Sequence, residues 1–255
     1  AVEWAKSIGG SSDDYIESVA VTNDGEIVVG GNFYSSSITV GDYTLTNAES
    51  GSNYPGPDGM IIKYGANGEV KLATSIGGDS SDSINSVTAT SDGGYIVVGD
   101  FRSSSIIVGD YTLIKNGLSS GMIIKYSADG KVELATAIEN VQGINSITET
   151  SDGCFVIGGE FDTDSITVGE YTIINNSDND HSDGMVIKFE NMELNNPTTI
   201  QAQSISESRE DQITSVSATN DGGYIAGGYF SSSSITVGNY NLTNAGGSDG
   251  MVIKY

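Results

Sequence analysis

Asp58-Gly-Met-Ile-Ile-Lys-Tyr64 is written again as Ser-Gly-Met-Ile-Ile-Lys-Tyr at 120–126, Asp-Gly-Met-Val-Ile-Lys-Phe at 183–189 and Asp-Gly-Met-Val-Ile-Lys-Tyr at 249–255. Its methionines, Met60, Met122, Met185 and Met251, stand 62, 63 and 66 residues apart. A second phrase precedes each copy. Its aromatics, Phe33, Phe101, Phe161 and Phe230, are spaced by 68, 60 and 69 residues, and each is followed by a Ser/Thr-rich run and Ile-(Thr/Ile)-Val-Gly. A period this long means that one supersecondary unit is being stacked, so fold and function are read per unit.

Within one unit the apolar period is two and the residues are β-branched or aromatic, which predicts strands. Ser18 to Thr22 (strand a) alternates and meets Asn23-Asp24-Gly25, residues suited to a tight turn. Glu26 to Phe33 (strand b) returns. The same turn is written Ser91-Asp92-Gly93, Ser151-Asp152-Gly153 and Asn220-Asp221-Gly222. A small extra hairpin follows at Ile38 to Leu45 on Gly41-Asp42, with counterparts at Gly109-Asp110, Gly169-Glu170 and Gly238-Asn239. Met60 to Tyr64 (strand c) is apolar on both faces except for Lys63, as expected of a strand sandwiched between neighbours. It turns at Ala66-Asn67-Gly68 into Val70 to Ile76 (strand d). The third copy has a longer c/d loop, Glu190 to Pro197. No stretch carries a helix pattern of useful length.

Four antiparallel strands with tight a/b and c/d hairpins describe the blade of a β-propeller. A string of separate sandwich modules is the competing reading, and the phase of the repeat argues against it. Strand d appears first at Val2 to Ile8, before any strand a, while the chain stops at Met251 to Tyr255, a strand c. The prediction is therefore an all-β, single-domain β-propeller of four blades of four antiparallel strands, closed by pairing the N-terminal strand (2–8) into the last blade. The blades run over about 18–76, 85–138, 145–205, and 214–255 plus 2–8. A monomer is expected; the alternative is half of an eight-bladed ring made by two chains or by a longer parent protein.

The 255 residues include 34 acidic against 10 basic, a net charge of -24, so the surface repels phosphate backbones and anionic lipid heads, and nucleic acid is not an expected partner. A hydrophobic content of 37% with 34 Gly and 3 Pro describes a folded, turn-rich chain. The single cysteine, Cys154, excludes an internal disulfide; it takes the place of Gly94 and Gly223 and reads as a packing residue. No apolar run approaches a membrane span, so membrane insertion is not expected, and Ala1 reads as the start of a mature or trimmed chain.

The phrases Trp-Ala-Lys-Ser-Ile-Gly-Gly (4–10), Asp-Asp-Tyr-Ile-Glu-Ser-Val-Ala-Val-Thr-Asn-Asp-Gly (13–25), Val-Val-Gly-Gly-Asn-Phe (28–33) and Asp-Gly-Met-Ile-Ile-Lys-Tyr-Gly-Ala-Asn-Gly (58–68) together resemble the bacterial SBBP-type β-propeller repeat, over the whole chain. That repeat is named for seven blades, and four are written here. The resemblance implies a secreted or cell-surface protein with a binding or adhesion role, and it carries over no catalytic residue.

In such a blade the b/c and d/a connections share one end, where the copies differ from one another, so that end is the expected ligand face. Its candidates are Asp13, Asp14 and Tyr15 in the first d/a loop, Tyr54 in the first b/c loop, and Lys115, His181 and Arg209 in later ones. The run Asp178-Asn179-Asp180-His181-Ser182-Asp183 has the oxygen density of a Ca2+ loop, with Asp178, Asp180 and Asp183 as ligands; it fails the EF-hand pattern, and a solvated turn is the ordinary alternative. The acidic loops Asp13-Asp14 and Asp79 to Asp82 would allow a cation between them. Tyr43, Tyr111, Tyr171 and Tyr240 recur on the extra hairpin, where they could stack on sugars or pack the unit. Glu149 stands on strand a where the other copies have Val21, Ala89 and Ala218, at a position that would face a propeller axis. No cofactor is required by these motifs, with Ca2+ the one candidate. A non-enzymatic extracellular module that binds a glycan or a protein on a cell surface is the leading reading. A glycosidase or lyase working through acidic residues is the alternative, and a structural spacer is the second alternative. One His and two Arg (Arg102, Arg209) in different blades supply neither a zinc hydrolase nor a sialidase-type clamp.

Overall fold

The computed structural model describes the chain except for residues 50, 52–54, 178–180 and 192–196. The fold is all-β and of β-propeller type, with four blades, one per repeat. Blade 1 holds β1 (Asp14–Val21), β2 (Ile27–Phe33), β5 (Asp58–Tyr64) and β6 (Val70–Ile76) in the order β1-β2-β5-β6, with β3 (Ser37–Val40) and β4 (Tyr43–Thr46) as its extra hairpin. Blade 2 repeats this with β7 (Asp82–Ala89), β8 (Tyr95–Phe101), β11 (Ser120–Tyr126) and β12 (Val132–Glu139), and the hairpin β9 (Ser105–Val108) and β10 (Tyr111–Ile114). Blade 3 has β13 (Gly143–Glu149), β14 (Phe155–Phe161), β17 (Asp183–Phe189) and β18 (Thr199–Ile205), with β15 (Ser165–Val168) and β16 (Tyr171–Ile174). Blade 4 has β19 (Asp211–Ala218), β20 (Tyr224–Phe230) and β23 (Asp249–Lys254), with β21 (Ser234–Val237) and β22 (Tyr240–Thr243).

Two compact units divide these elements, one made of 1–115 and 122–137, the other of 116–121 and 138–255. In the first, both faces of β2 and β5 are buried, which is why strand c reads as a continuous apolar run. One face packs Phe33, Met60 and Ile62 under Ile38, Val40 and Leu45 of the folded-back extra hairpin. The other packs Val28, Ile61 and Ile76 against Ile84 and Val87 of the next blade. The second unit repeats the arrangement, with Val156, Val186 and Ile205 against Ile213 and Val216, and its Tyr224 and Tyr255 rings stack at 4.6 Å and 16°.

The tight-turn end of each blade is nearly invariant. Thr22, Thr90, Thr150 and Thr219 each donate a hydroxyl to the aspartate two residues on, and the glycine that follows sits at φ 82°, 89°, 78° and 88° in the four copies. The lysine inside strand c reaches this turn. Lys125 pairs with Asp92 at 2.7 Å, Lys188 with Asp152 at 3.1 Å, Lys254 with Asp221, and Lys63 with Glu26. The one polar residue in an apolar strand is thus the strut that ties strand c to the a/b turn.

Two expectations are corrected. Strand a begins four residues before Ser18, at Asp14, because a bulge between Ile16 and Ser18 breaks the period-two pattern; the same irregularity recurs between Ile84 and Ser86, Ile144 and Ser146, and Ile213 and Ser215. Residues 2–8 have no strand assignment, and the sheet of the fourth blade is made of the three strands β19, β20 and β23. The segment instead lies on the β5–β6 turn. Trp4 donates its ring N–H to the Ala66 carbonyl at 3.2 Å and packs its ring 5.8 Å from that of Tyr64.

Candidate ligand site

The loop end of blade 1 carries an aromatic pair that has no counterpart in the other copies. Tyr15 lies on β1 opposite Asn32 of β2, and Tyr34 directly follows Phe33 at the end of β2. The Tyr34 N–H donates to the Asp13 carbonyl at 3.0 Å, which fixes both side chains on the same strand end. Their rings meet edge to face, with centroids 6.3 Å apart and planes at 86°, and they remain 49% and 38% exposed. The Asp13 carboxylate beside Tyr15 raises the phenol above its ordinary pKa, chiefly by its charge, so the hydroxyl stays a donor at neutral pH. At the matching positions the other blades have Ser83 and Arg102, Gly143 and Asp162, and Gln212 and Ser231. Asp13 and Tyr15 were legible as candidates; Tyr34 was missed because the Phe-x-Ser phrase around it reads as scaffold.

Asp14 has a different role. It accepts the Gly10 N–H and the Ser35 hydroxyl, each at 2.7 Å, and the Ser35 N–H at 3.2 Å, and so ties the incoming loop to the end of β2. Asp82 does the same for Ser103, and Asp211 for Ser232. Blade 3 changes both partners, to Gln142 and Thr163, a paired exchange that is visible in the sequence. Asp79 likewise accepts the N–H of Ser104 at 2.6 Å and its hydroxyl at 2.7 Å. Three of the carboxylates expected to gather a cation are therefore hydrogen-bonded to the chain itself.

The carboxylates at the start of strand c are buried. Asp58 accepts the Ala48 N–H at 2.7 Å through one oxygen while the other has no partner among the described residues, and burial, with Asp82 and Glu49 nearby, pushes its pKa up to about 7. Asp183 accepts the Asn176 N–H at 2.7 Å and the Ser177 hydroxyl, and burial raises it too. Of the Ca2+ candidates, Asp178 and Asp180 lie outside the described residues, as does Tyr54. Among the described residues no cluster of three or more His, Cys, Asp or Glu side chains is gathered.

The remaining candidates stand on separate loops. Lys115 follows β10 in blade 2 and donates its N–H to the Ser104 carbonyl at 3.1 Å. In the second unit, exposed His181 accepts from the Asn175 amide through its carbonyl at 3.0 Å, and Arg209 donates its N–H to Ser232 at 3.0 Å. The hairpin tyrosines act as latches. Tyr43, Tyr111 and Tyr171 donate to the carbonyls of Lys71, Glu133 and Ile200 on strand d at 2.8, 2.6 and 2.7 Å. Glu149 ends β13 opposite Phe155.

No family model matches the chain, and no curated protein matches it. Among solved structures it is similar to a protein of unknown function from Bacteroides caccae, with a TM-score of 0.45 and 10% identity over 91% of this chain and 62% of that one. It is also similar to the extracellular domain of a putative hybrid two-component system from B. thetaiotaomicron, with a TM-score of 0.32 and 12% identity over 92% of this chain and 33% of that one. The chain thus spans less than two thirds of the length of either neighbour. Among the described residues no helix is long and apolar enough to cross a membrane.

Proposed function

We propose that this chain is a non-enzymatic glycan-binding module of a bacterial surface or secreted protein, and that blade 1 carries the contact. The observation behind this reading is the exposed Tyr15–Tyr34 pair with Asp13 at its side, present in one copy of an otherwise repetitive scaffold. Tyrosine rings offer an apolar face to the C–H side of a pyranose and a hydroxyl at the rim, and a neighbouring carboxylate accepts from sugar hydroxyls. An edge-to-face pair makes a corner, which fits a chain end or a branch better than a flat run of sugars. Asp14, Asp58 and Asp82, three carboxylates at this end, accept hydrogen bonds from the chain's own amides and hydroxyls, which supports binding over turnover. The resemblance of the repeat to SBBP-type propellers supports an extracellular setting. The contact as written involves no metal.

The test is an array of glycans probed with the labelled 255-residue chain, followed by titration of each hit. Tyr15→Ala and Tyr34→Ala should each weaken binding at least tenfold, Tyr15→Phe should retain most of it, and EDTA should leave it unchanged. An array without hits, or hits indifferent to both alanine variants, would overturn the reading. Release of shortened saccharide from a hit would replace binding by catalysis.

A further inference from the structure

The lysines of blade 1 stand at the opposite end from the Tyr15–Tyr34 corner. Residues 1–81 contain Lys6, Lys63 and Lys71, and no arginine. Lys63 and Lys71 pair with Glu26 beside the a/b turn, and Lys6 lies 6.0 Å from the centre of the Tyr64 ring. Tyr64 is opposite Ile27, the first residue of β2, whereas Tyr15 is opposite Asn32 near its far end. From Ile27 to Asn32 the strand climbs about 16 Å, so these cations stand well away from the corner.

At the corner itself carboxylates set the field. Asp13 stands two residues before Tyr15, on the same side of the extended chain, and it both hydrogen-bonds the Tyr15 hydroxyl and acts on it by charge; the Glu17 carboxylate adds to that charge. Asp13, Tyr15 and Glu17 are all exposed. Glu17 is as particular to blade 1 as the tyrosines, since Asn85, Asn145 and Thr214 take its place at the bulge of the other copies. Where Tyr34 stands, blade 2 has a cation instead, Arg102, whose charge acts on Asp100 of its own blade.

Exposed tyrosine rings offer π faces that attract a cation, and carboxylates beside them add a direct attraction while repelling an anion. A uronic, sialic or sulfated sugar is therefore disfavoured here, and a neutral sugar gains only stacking and hydrogen bonds. We propose that the glycan held at this corner carries a free amine: the unit seated on Tyr15 and Tyr34 is a deacetylated hexosamine, with its ammonium beside Asp13. This rests on the glycan-binding reading above and narrows it to one class of sugar. The selection is local and does not follow from the net charge of -24 alone. At 0.15 M salt the Debye length is about 8 Å, so acids farther along the chain are screened and those beside the rings decide.

The test is calorimetric titration of the full 255-residue chain in 0.15 M salt, at mildly acidic pH where the amine is protonated, with short oligosaccharides: the trimers of glucosamine, N-acetylglucosamine, glucose and galacturonate, and trilysine as a non-sugar amine. The glucosamine trimer should bind about fivefold tighter than the N-acetylated or the neutral trimer, and the galacturonate trimer should bind weakest. Asp13→Asn should bring the ratio of glucosamine to N-acetylglucosamine affinity close to one. Asp42→Asn, an exposed carboxylate beside Gly41, which lies against Val70 at the other end of the blade, should leave that ratio unchanged. Tyr15→Ala should weaken both trimers. Equal binding of the charged and uncharged trimers that still depends on Tyr15 would overturn the amine and leave the glycan site standing, whereas no Tyr15-dependent binding of any sugar would overturn both. A preference that survives Asp13→Asn, one lost equally in Asp42→Asn, or tighter Tyr15-dependent binding of trilysine than of the glucosamine trimer would also overturn the proposal.

Discussion

The side chain of Ile84 lies where a β-carbon on Gly30 would be 2.8 Å away, so the joint between the first two blades depends on an absent methyl group. Gly30→Ala should therefore overpack that joint and cost about 1–3 kcal/mol in urea denaturation. Gly227→Ala, at the matching position of blade 4, brings its β-carbon no nearer than 4.0 Å to the Met251 carbonyl oxygen and should leave the midpoint unchanged. Equal effects at both positions would mean that the joint does not depend on this contact.

Asp58 should make the protein less stable as pH rises. Its folded pKa of about 7 exceeds the roughly 3.9 of an unfolded aspartate, so the folded state holds a proton that the unfolded state releases, and stability falls across that interval and then levels. Asp58→Asn keeps the acceptor for the Ala48 N–H and removes the titration. The melting temperature of the variant should gain on that of the unmodified protein between about pH 4 and 7. A gap that does not change with pH would show that Asp58 does not titrate in this way.

The Lys125–Asp92 strut has the opposite sign. Burial alone would raise Asp92, but Lys125, Thr90 and the Gly94 amide outweigh it and hold the carboxyl at about 2. The stabilisation is present above the unfolded aspartate pKa and is lost as pH falls through about 2. The Asp92 side chain is 53% exposed, so solvent screening limits Lys125→Met to a cost of about 1 kcal/mol at pH 7. Denaturant titration at pH 7 and at pH 2 should show that cost shrinking in acid.

The hairpin tyrosines should differ by blade. Tyr111→Phe removes a 2.6 Å bond to the Glu133 carbonyl and should cost about 0.5–1.5 kcal/mol. Tyr240→Phe alters a ring that is 76% exposed and should cost nothing measurable by chemical denaturation.

Elements set by local patterning were readable in advance. The a/b turns, the c/d turns of the first two copies and the extra hairpins follow from Asp-Gly, Asn-Gly and Gly-X dipeptides between period-two runs, because a tight turn is fixed by the φ its residues permit. The first half of strand a was hidden by the bulge at Glu17, which puts two residues against one and breaks the alternation. Of the candidate site, Asp13 and Tyr15 were visible as part of an acidic d/a loop on the end where the copies differ. Asp14 looked like a ligand because a one-dimensional reading shows a carboxylate but not the Ser35 hydroxyl and Gly10 amide it accepts. Tyr34 became visible only when β1 and β2 paired and brought it against Tyr15.

The sequence by itself determined the repeat and the hairpins within each copy, since those rest on neighbours within some 60 residues and on turn chemistry written in place. Tertiary structure alone decided which copies of an identical residue are covered. Ile16 and Ile84 are the same side chain at the same repeat position, 47% and 0% exposed. Ile84 enters the space over Gly30 and Gly59 of blade 1, and burial of apolar surface depends on what is across the gap, not on the residue that faces it.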